Sequence, residues 1–335
     1  MTILLAGDIG GTNTRLKLYQ GTGSQLTPLS EIQTYPSQNY PSLTPVVQEF
    51  FSGLQPAQTP TRACFAIAGP VQNNTSLLTN IDWQLDGNQL QQDLGLERVQ
   101  LINDFVAIGY GITGLQDADL ERLQPGKPNP QAPRAILGAG TGMGQCFVIP
   151  RSQGGYQVFP TEGGHVDFAP RNAQEFALAE FLKAQKGIQR VSVERVVSGQ
   201  GIADIYRFLR TQTPDAESAT IQAQLATPDA DFSAVIGKAA LEKSDPLCVQ
   251  AVELFISAYG SEAGNLALKL LPFGGLYLAG GIAAKLLPWM RSPAFIESYH
   301  TKGRMSPLLD DVPMAIVLNP EVGLLGAGIC AAQED

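Results

Sequence analysis

The chain has 335 residues, a formal net charge of −9, 44% apolar residues and 16% charged ones. That length supports two domains with sizeable cores, and the composition is that of a folded globular protein, not a disordered one. The acidic balance disfavours nucleic acid or an anionic membrane as the main partner, yet leaves room for phosphorylated ligands at local glycine-rich loops.

In chain order, the first predicted strand, Ile3–Ala6, enters "GDIGGTNTR" and leaves as a second strand, Thr14–Tyr19. The turn between them has two readings. Asp-x-Gly-Gly with an Asn is ordinary hairpin chemistry, in which Gly and Asn supply positive φ. Alternatively, Gly10 and Gly11 let backbone N–H groups close on a phosphate and Thr12, Asn13 and Thr14 add donors. Asp8 then requires a divalent cation between itself and the phosphates. Strands Ala63–Ala68 and Val99–Ile102 follow, the latter reaching Asn103 and Asp104 at the start of a predicted helix. An aspartate there is commonly an N-cap. The functional alternative is a carboxylate that accepts a proton from a sugar hydroxyl. The helix N-terminus should favour its ionised form and make it a weak base, which is acceptable where the transition state is loose and positioning dominates.

The stretch "AILGAGTGMGQCFVIP" repeats the opening layout, with strand Ala135–Leu137, a glycine-rich turn with threonine, and strand Cys146–Ile149. Ala139 stands about where Asp8 stands in the first hairpin. Neither hairpin keeps the GxxxxGK[ST] or GxGxxG spacing, and neither runs into the helix those motifs need. As a pair they favour a polyphosphate clamped between two domains. Next, "FPTEGGHVDFAP" sets Glu162 and His165 on either side of a glycine pair, and Glu194 follows in "VSVERVVSG". Carboxylates accepting from adjacent hydroxyls, with a histidine that donates or accepts, suit an uncharged polyhydroxylated substrate. Solvated loop glutamates and a satisfied histidine are the plainer alternative. A zinc site is disfavoured, because no cysteine or second histidine lies close in sequence.

Asn172 and Glu175 form a predicted capping box ahead of a helix that stops at Gly187. Pro246 suits the first turn of a helix whose apolar residues, Val252, Phe255, Ile256, Tyr259, Ala263, Leu266 and Leu270, keep helical spacing. Strands Leu276–Leu278 and Ala315–Leu318 complete the series. Gly280 and Gly281 lie at a strand-to-helix junction, serving close packing or the approach of a ligand. The alternation of hairpins and helices predicts an α/β protein with mixed sheets. Cys64, Cys146, Cys248 and Cys330 are widely spaced, as small core residues in a reducing compartment would be. The N-terminus has no basic n-region, and the most apolar stretch is broken by Lys269, Pro272 and paired glycines, so a cytoplasmic location is expected.

Six segments, "GDIGGTNTR", "LINDFVAIGYG", "GAGTGMG", "EGGHVDFAP", "ERVVSGQGI" and "YLAGGIA", run in family order from residue 7 to residue 284. In them the chain resembles the bacterial glucokinase family, within the sugar kinase, Hsp70 and actin superfamily of ATPases. The resemblance implies a two-domain actin-like ATPase (ribonuclease H-like) fold with mixed sheets flanking a cleft. The expected small domain is 1–112 plus 319–335, and the larger is 113–318. "PEVGLLGAGICAA" resembles the family's second connecting helix, with Gly323, Gly326 and Gly328 allowing close packing and hinge movement.

The function implied is ATP-dependent phosphorylation of glucose at its 6-hydroxyl, with Asp104 as catalytic base. Asn103, Asp104, Glu162, His165 and Glu194 would hold the sugar. Gly7, Asp8, Gly10, Gly11, Thr12, Asn13, Gly140, Thr141, Gly142, Gly280 and Gly281 would hold ATP. Asp8 would meet magnesium through its waters. The related ROK-type kinases place their histidine in a zinc site with a cysteine cluster; "HVDFAP" offers no cysteine, so no zinc is expected. A cytoplasmic homodimer is implied. Kinases of mannose, fructose or a broader hexose range are the nearest alternative. A sugar-sensing regulator would normally need a DNA-binding module, and no helix-turn-helix is expected before residue 7; an actin- or Hsp70-like ATPase would not need the sugar set.

Overall fold

The computed structural model describes residues 2–78, 80–152, 154–213 and 216–333. Two compact units emerge: Met1–Leu120, Cys146–Pro160 and Asn319–Asp335 form the first, and Glu121–Gln145 with Thr161–Leu318 the second.

Residues 2–103 of the first unit hold eight strands: β1 Thr2–Ile9, β2 Asn13–Thr22, β3 Gln25–Pro28, β4 Gln33–Pro36, β5 Arg62–Ile67, β6 Thr75–Leu78, β7 Trp83–Asp86 and β8 Arg98–Asn103. The order β3-β2-β1-β5-β8 makes the sheet, β4 also pairs with β2, and β6 and β7 form a separate ribbon. β1 and β2 are antiparallel, with Asp8 opposite Arg15, whereas β1, β5 and β8 are parallel. Their register sets Ile9, Ile67 and Asn103 in one row, so three strands end together and their following loops share one edge. Leu5, Ile9, Leu16, Leu18, Phe65 and Ile67 fill the core against Val46, Val47 and Phe50 of the helix Leu43–Ser52.

The helices Asp104–Gly111 and Val322–Ala331 pack at backbone contact in this unit. A Cβ on Gly326 would lie 1.7 Å from the Ala107 carbonyl oxygen, and one on Gly111 2.0 Å from that of Val322. Gly326 is therefore required for packing, while Gly323 has open space around it.

The remaining strands are β9 Leu120–Gln124, β10 Arg134–Ala139, β11 Met143–Pro150, β12 Tyr156–Thr161, β13 Gly275–Ala279 and β14 Met314–Val317. Their order is β12-β11-β10-β13-β14-β9. The first five repeat the other sheet position by position: three consecutive strands, then two that arrive by crossover, parallel to the third. The hairpin echo in the sequence is thus an echo of a whole sheet. In the second unit the predicted helix opens at Pro246 with Asp245 as N-cap and runs to Leu270. Val252, Phe255, Ile256, Tyr259, Ala263 and Leu266 are all buried in its core.

The capping box is half realised. Asn172 accepts from the Glu175 N–H at 2.9 Å, but the Glu175 side chain, fully buried, turns to the guanidinium and backbone N–H of Arg171 instead of the cap. An arginine one residue upstream outcompetes the cap amide because it brings a charge to a buried carboxylate. All four cysteines are buried and unpaired as disulfides. No helix among the described residues is long and apolar enough to cross a membrane.

Candidate active site

At the shared edge of the first sheet, the chain turns from β1 to β2 through Gly10, Gly11 and Thr12. None of these adopts positive φ, so the turn reading that needed positive φ does not explain the glycines. Close approach does. A Cβ on Gly11 would lie 2.6 Å from Asn80 Nδ2, and one on Gly7 2.5 Å from Phe65 Cδ1. Ser37, fully buried, staples the loop: its N–H donates to the Thr12 carbonyl, its hydroxyl donates to the Gly10 carbonyl, and it meets Thr14 Oγ1 at 3.0 Å. Sequence reasoning missed Ser37, since a serine 23 residues beyond its partner Thr14 carries no local signal.

Asp8 stands one residue inside the edge, its carboxylate 3.7 Å from Arg15. Burial raises its pKa, partly offset by the Arg15 charge. Across the same sheet, Asn103 caps the helix Asp104–Gly111, accepting from the N–H groups of Phe105 and Val106 at 2.9 and 3.4 Å. Its amide donates to the Gly69 carbonyl at 3.1 Å and also hydrogen-bonds the Asp104 carboxylate. The cap is therefore Asn103, and Asp104 is the first helical residue.

The expectation that Asp104 is a weak base is overturned. Burial pushes it up to about 6; the Phe105 N–H works against that shift, and the Asp8 charge adds to it. Desolvation of a carboxylate at a sheet edge outweighs one helix end. The sequence shows the helix end but not the burial.

In the second unit, Gly142 closes on Glu194. A Cβ there would lie 2.5 Å from Glu194 Oε2, which accepts the Met143 N–H at 2.9 Å. Glu194 and His165 line one recess of about 650 Å³ with Arg190 and Arg195. Glu162 lies beside it, its Oε2 3.9 Å from His165 Nε2, and both side chains are well exposed. Glu162, His165 and Glu194 are thus brought together, although 32 residues separate the first from the last.

A second recess, of about 580 Å³, gathers Gly140, Thr141 and Gly281 with Gly199, Phe232 and Lys285. Gly280 holds its junction by left-handed backbone, φ 83°, and by proximity: a Cβ would lie 2.4 Å from the Ala139 carbonyl oxygen. The Gly199 N–H donates to the Gly140 carbonyl at 2.8 Å, so the helix Gly199–Gln212, capped by Ser198, starts at this recess. "ERVVSGQGI" therefore serves two recesses, with Glu194 at one and Gly199 and Gln200 at the other.

Sequence reasoning also missed Arg207 and Phe232. The guanidinium lies 4.5 Å from the Phe232 ring centre and donates to the buried Asp204 at 2.8 Å. The only advance signal was Asp231, a helix N-cap just before the phenylalanine.

Repeated sheets, two glycine hairpins and a raised-pKa aspartate at a sheet edge define a kinase-type enzyme on the actin-like ATPase fold. A glucokinase family model matches residues 5–334. Glucokinase from Nostoc punctiforme is 54% identical over 99% of this chain and 100% of its own. The chain belongs to the glucokinase family. A crystal structure of glucokinase from an Antarctic psychrotroph superposes with TM-score 0.85 at 28% identity, covering 99% of each chain. A ROK family glucokinase from Streptomyces griseus, in complex with glucose and AMPPNP, shares the fold at TM-score 0.66 and 18% identity, over 99% of this chain and 100% of its own.

Proposed function

We propose that this enzyme transfers the γ-phosphoryl group of ATP to the 6-hydroxyl of glucose, giving glucose 6-phosphate in the cytoplasm as a homodimer. The observation that carries the mechanism is Asp104, buried at the sheet edge and raised to about 6. A base with that pKa is ionised near neutral pH and still accepts a proton well, close to the optimum for general-base catalysis. Asp104 takes the hydroxyl proton as the oxygen attacks phosphorus; the phosphorus–oxygen bond to ADP breaks and ADP leaves. Asn103, hydrogen-bonded to the Asp104 carboxylate, contacts the sugar beside it. Glu162, His165 and Glu194 of the second unit recognise the other hydroxyls.

For ATP, the first hairpin (Gly7, Asp8, Gly10, Gly11, Thr12, Asn13) and the second (Gly140, Thr141, Gly142) face the phosphates. Gly280 and Gly281 border the adenosine, for which the Arg207–Phe232 wall supplies a flat face. The proposed small domain is 1–112 with 319–335 and the large one 113–318; the compact units differ from this in carrying 113–120 and 146–160 with the first. Among the described residues no group of three or more candidate ligand side chains gathers. Asp8 alone, half-exposed, fits magnesium, which keeps several waters and takes substrate phosphates as ligands. When bound, magnesium neutralises phosphate charge.

The test is ADP release measured across a panel of hexoses. The expected result is a kcat/KM for glucose at least roughly tenfold above those for mannose and fructose, the discrimination a few hydroxyl contacts supply. Equal values would establish a broad hexose kinase, and no turnover with any hexose would overturn the reading.

A further inference from the structure

A line of polar groups, buried where it begins, meets the turn that carries Glu162 and His165. Gln145 and Glu262, each 4% exposed, face one another, and Gln145 Nε2 donates to Glu262 Oε1 at 3.0 Å. The other oxygen of Glu262 accepts from Asn265 Nδ2 at 3.0 Å. Lys302 Nζ in turn donates to Asn265 Oδ1 at 2.6 Å and to the Ser261 carbonyl at 3.0 Å. A carboxylate held this far from water is costly unless its partners are satisfied, and here the partly exposed Lys302 reaches it only through Asn265. Nothing in the chemistry assigned above uses them.

Gln145 ends this line and meets the turn. Its carbonyl accepts from Thr161 Oγ1 at 3.2 Å, and that hydroxyl accepts from the Gly163 N–H at 3.2 Å. Its side-chain oxygen lies against Gly163 so closely that a Cβ there would be 2.1 Å away. Gly164 is seated on the same strand, with a Cβ only 2.1 Å from the Met143 carbonyl oxygen. Met143 also holds Glu194 through its N–H. Residues 143 to 145 are therefore a platform on which both sugar-facing elements rest.

We propose that Gln145 and Glu262 are positioning residues that set the height of the Gly163–His165 turn, and through it the reach of Glu162 and His165 toward the sugar. This rests on the sugar role given to Glu162 and His165. The physical reason is stiffness: Gln145 is fixed on one side by a buried carboxylate and touches glycine backbone on the other, so its displacement moves the turn directly. Misplacement of a binding group by about 1 Å is enough to cost a large factor in turnover or affinity.

The test uses Gln145→Leu, Glu262→Gln and the exchanged pair Gln145→Glu/Glu262→Gln, with KM for glucose and for ATP measured separately. Each single variant should raise the glucose KM roughly tenfold while the ATP KM stays within about twofold. The exchanged pair restores one donor facing one acceptor and should recover most of the loss. Equal shifts in both KM values, or no recovery in the exchanged pair, would reduce the network to general scaffolding and overturn the proposal. If Gln145→Leu does not fold, Glu262→Gln and the exchanged pair still decide it. Glu162→Gln and His165→Ala run alongside. Should they leave the glucose KM unchanged, the sugar assignment itself fails; should they raise it while the network variants do not, only the positioning proposal fails.

Discussion

The two glycine hairpins share a layout and differ in what they present. The first carries Asp8 one residue inside the sheet edge, and its glycine Gly11 closes on the neutral side chain of Asn80. The second has Ala139 at the corresponding place, and its Gly142 closes on the carboxylate of Glu194. Gly140 has open space and borders a recess. One sheet plan thus supplies charge chemistry in the first unit and a mostly backbone surface in the second. Duplication of a fold provides matching edges, and single side chains then decide which edge presents a carboxylate of its own.

The largest expected effect removes the charge chemistry. Asp104→Asn should lower kcat by about 100-fold or more, the usual contribution of a general base. The glucose KM should change much less, because the amide still accepts a hydrogen bond. Steady-state kinetics with a thermal melt as folding control checks this. A folded variant with near-normal kcat would reduce Asp104 to a helix-opening residue and erase the contrast between the hairpins.

The next effect probes the second hairpin. Gly142→Ala pushes on Glu194, whose Oε2 is held by the Met143 N–H. It should raise the glucose KM by roughly tenfold, as loss of a charge-assisted contact does. Gly140→Ala meets no atom and should leave the glucose KM alone. A glucose KM left unchanged by Gly142→Ala would take Glu194 away from the sugar.

A smaller effect follows at the second recess. Phe232→Ala removes the aromatic face under Arg207 and should raise the ATP KM by about fivefold, close to the 1 kcal/mol of a partly exposed cation–π pair. A change confined to the glucose KM would detach this recess from the nucleotide.

Much of the fold was legible because its signals are local. The strands around Asp8 and Ala139, the helix from Pro246 and its buried face follow from apolar periodicity and punctuation by glycine and proline. The glycine loops and Asp104 were legible as motifs. What escaped notice depends on distant packing: Ser37 under the first hairpin, Glu262 and Lys302 near the Gly163–His165 turn, and Arg207 against Phe232. Each meets its partner only after the chain has folded. The base strength of Asp104 was misjudged for the same reason, since the helix end is visible in the sequence and the desolvation is not. Glu175 shows the limit of even a local motif, because its box partner lost to Arg171.

The smallest effect concerns stability. The Asp104 carboxyl has an ordinary pKa of 3.8 and is raised to about 6 in the folded chain. Between those values the folded state binds more protons than the unfolded one, so stability falls as pH rises through the window. The penalty is absent below about pH 4 and complete above about pH 6. Asp104→Asn removes the titrating group and with it the penalty. After allowance for partial solvent screening, the gain at pH 7 is on the order of 1 kcal/mol, about 1–2 °C in Tm for a chain of this size. Melts of both proteins at pH 4, 5, 6 and 7 should show the variant's advantage growing from nothing to its full value across that range. The same variant would then be the least active and the more stable, as expected where a desolvated carboxylate is kept for chemistry. A flat difference across pH would mean that Asp104 titrates at an ordinary carboxylate pKa, and one that shrinks as pH rises that it titrates below it; either way the base strength given to the first sheet edge would not stand.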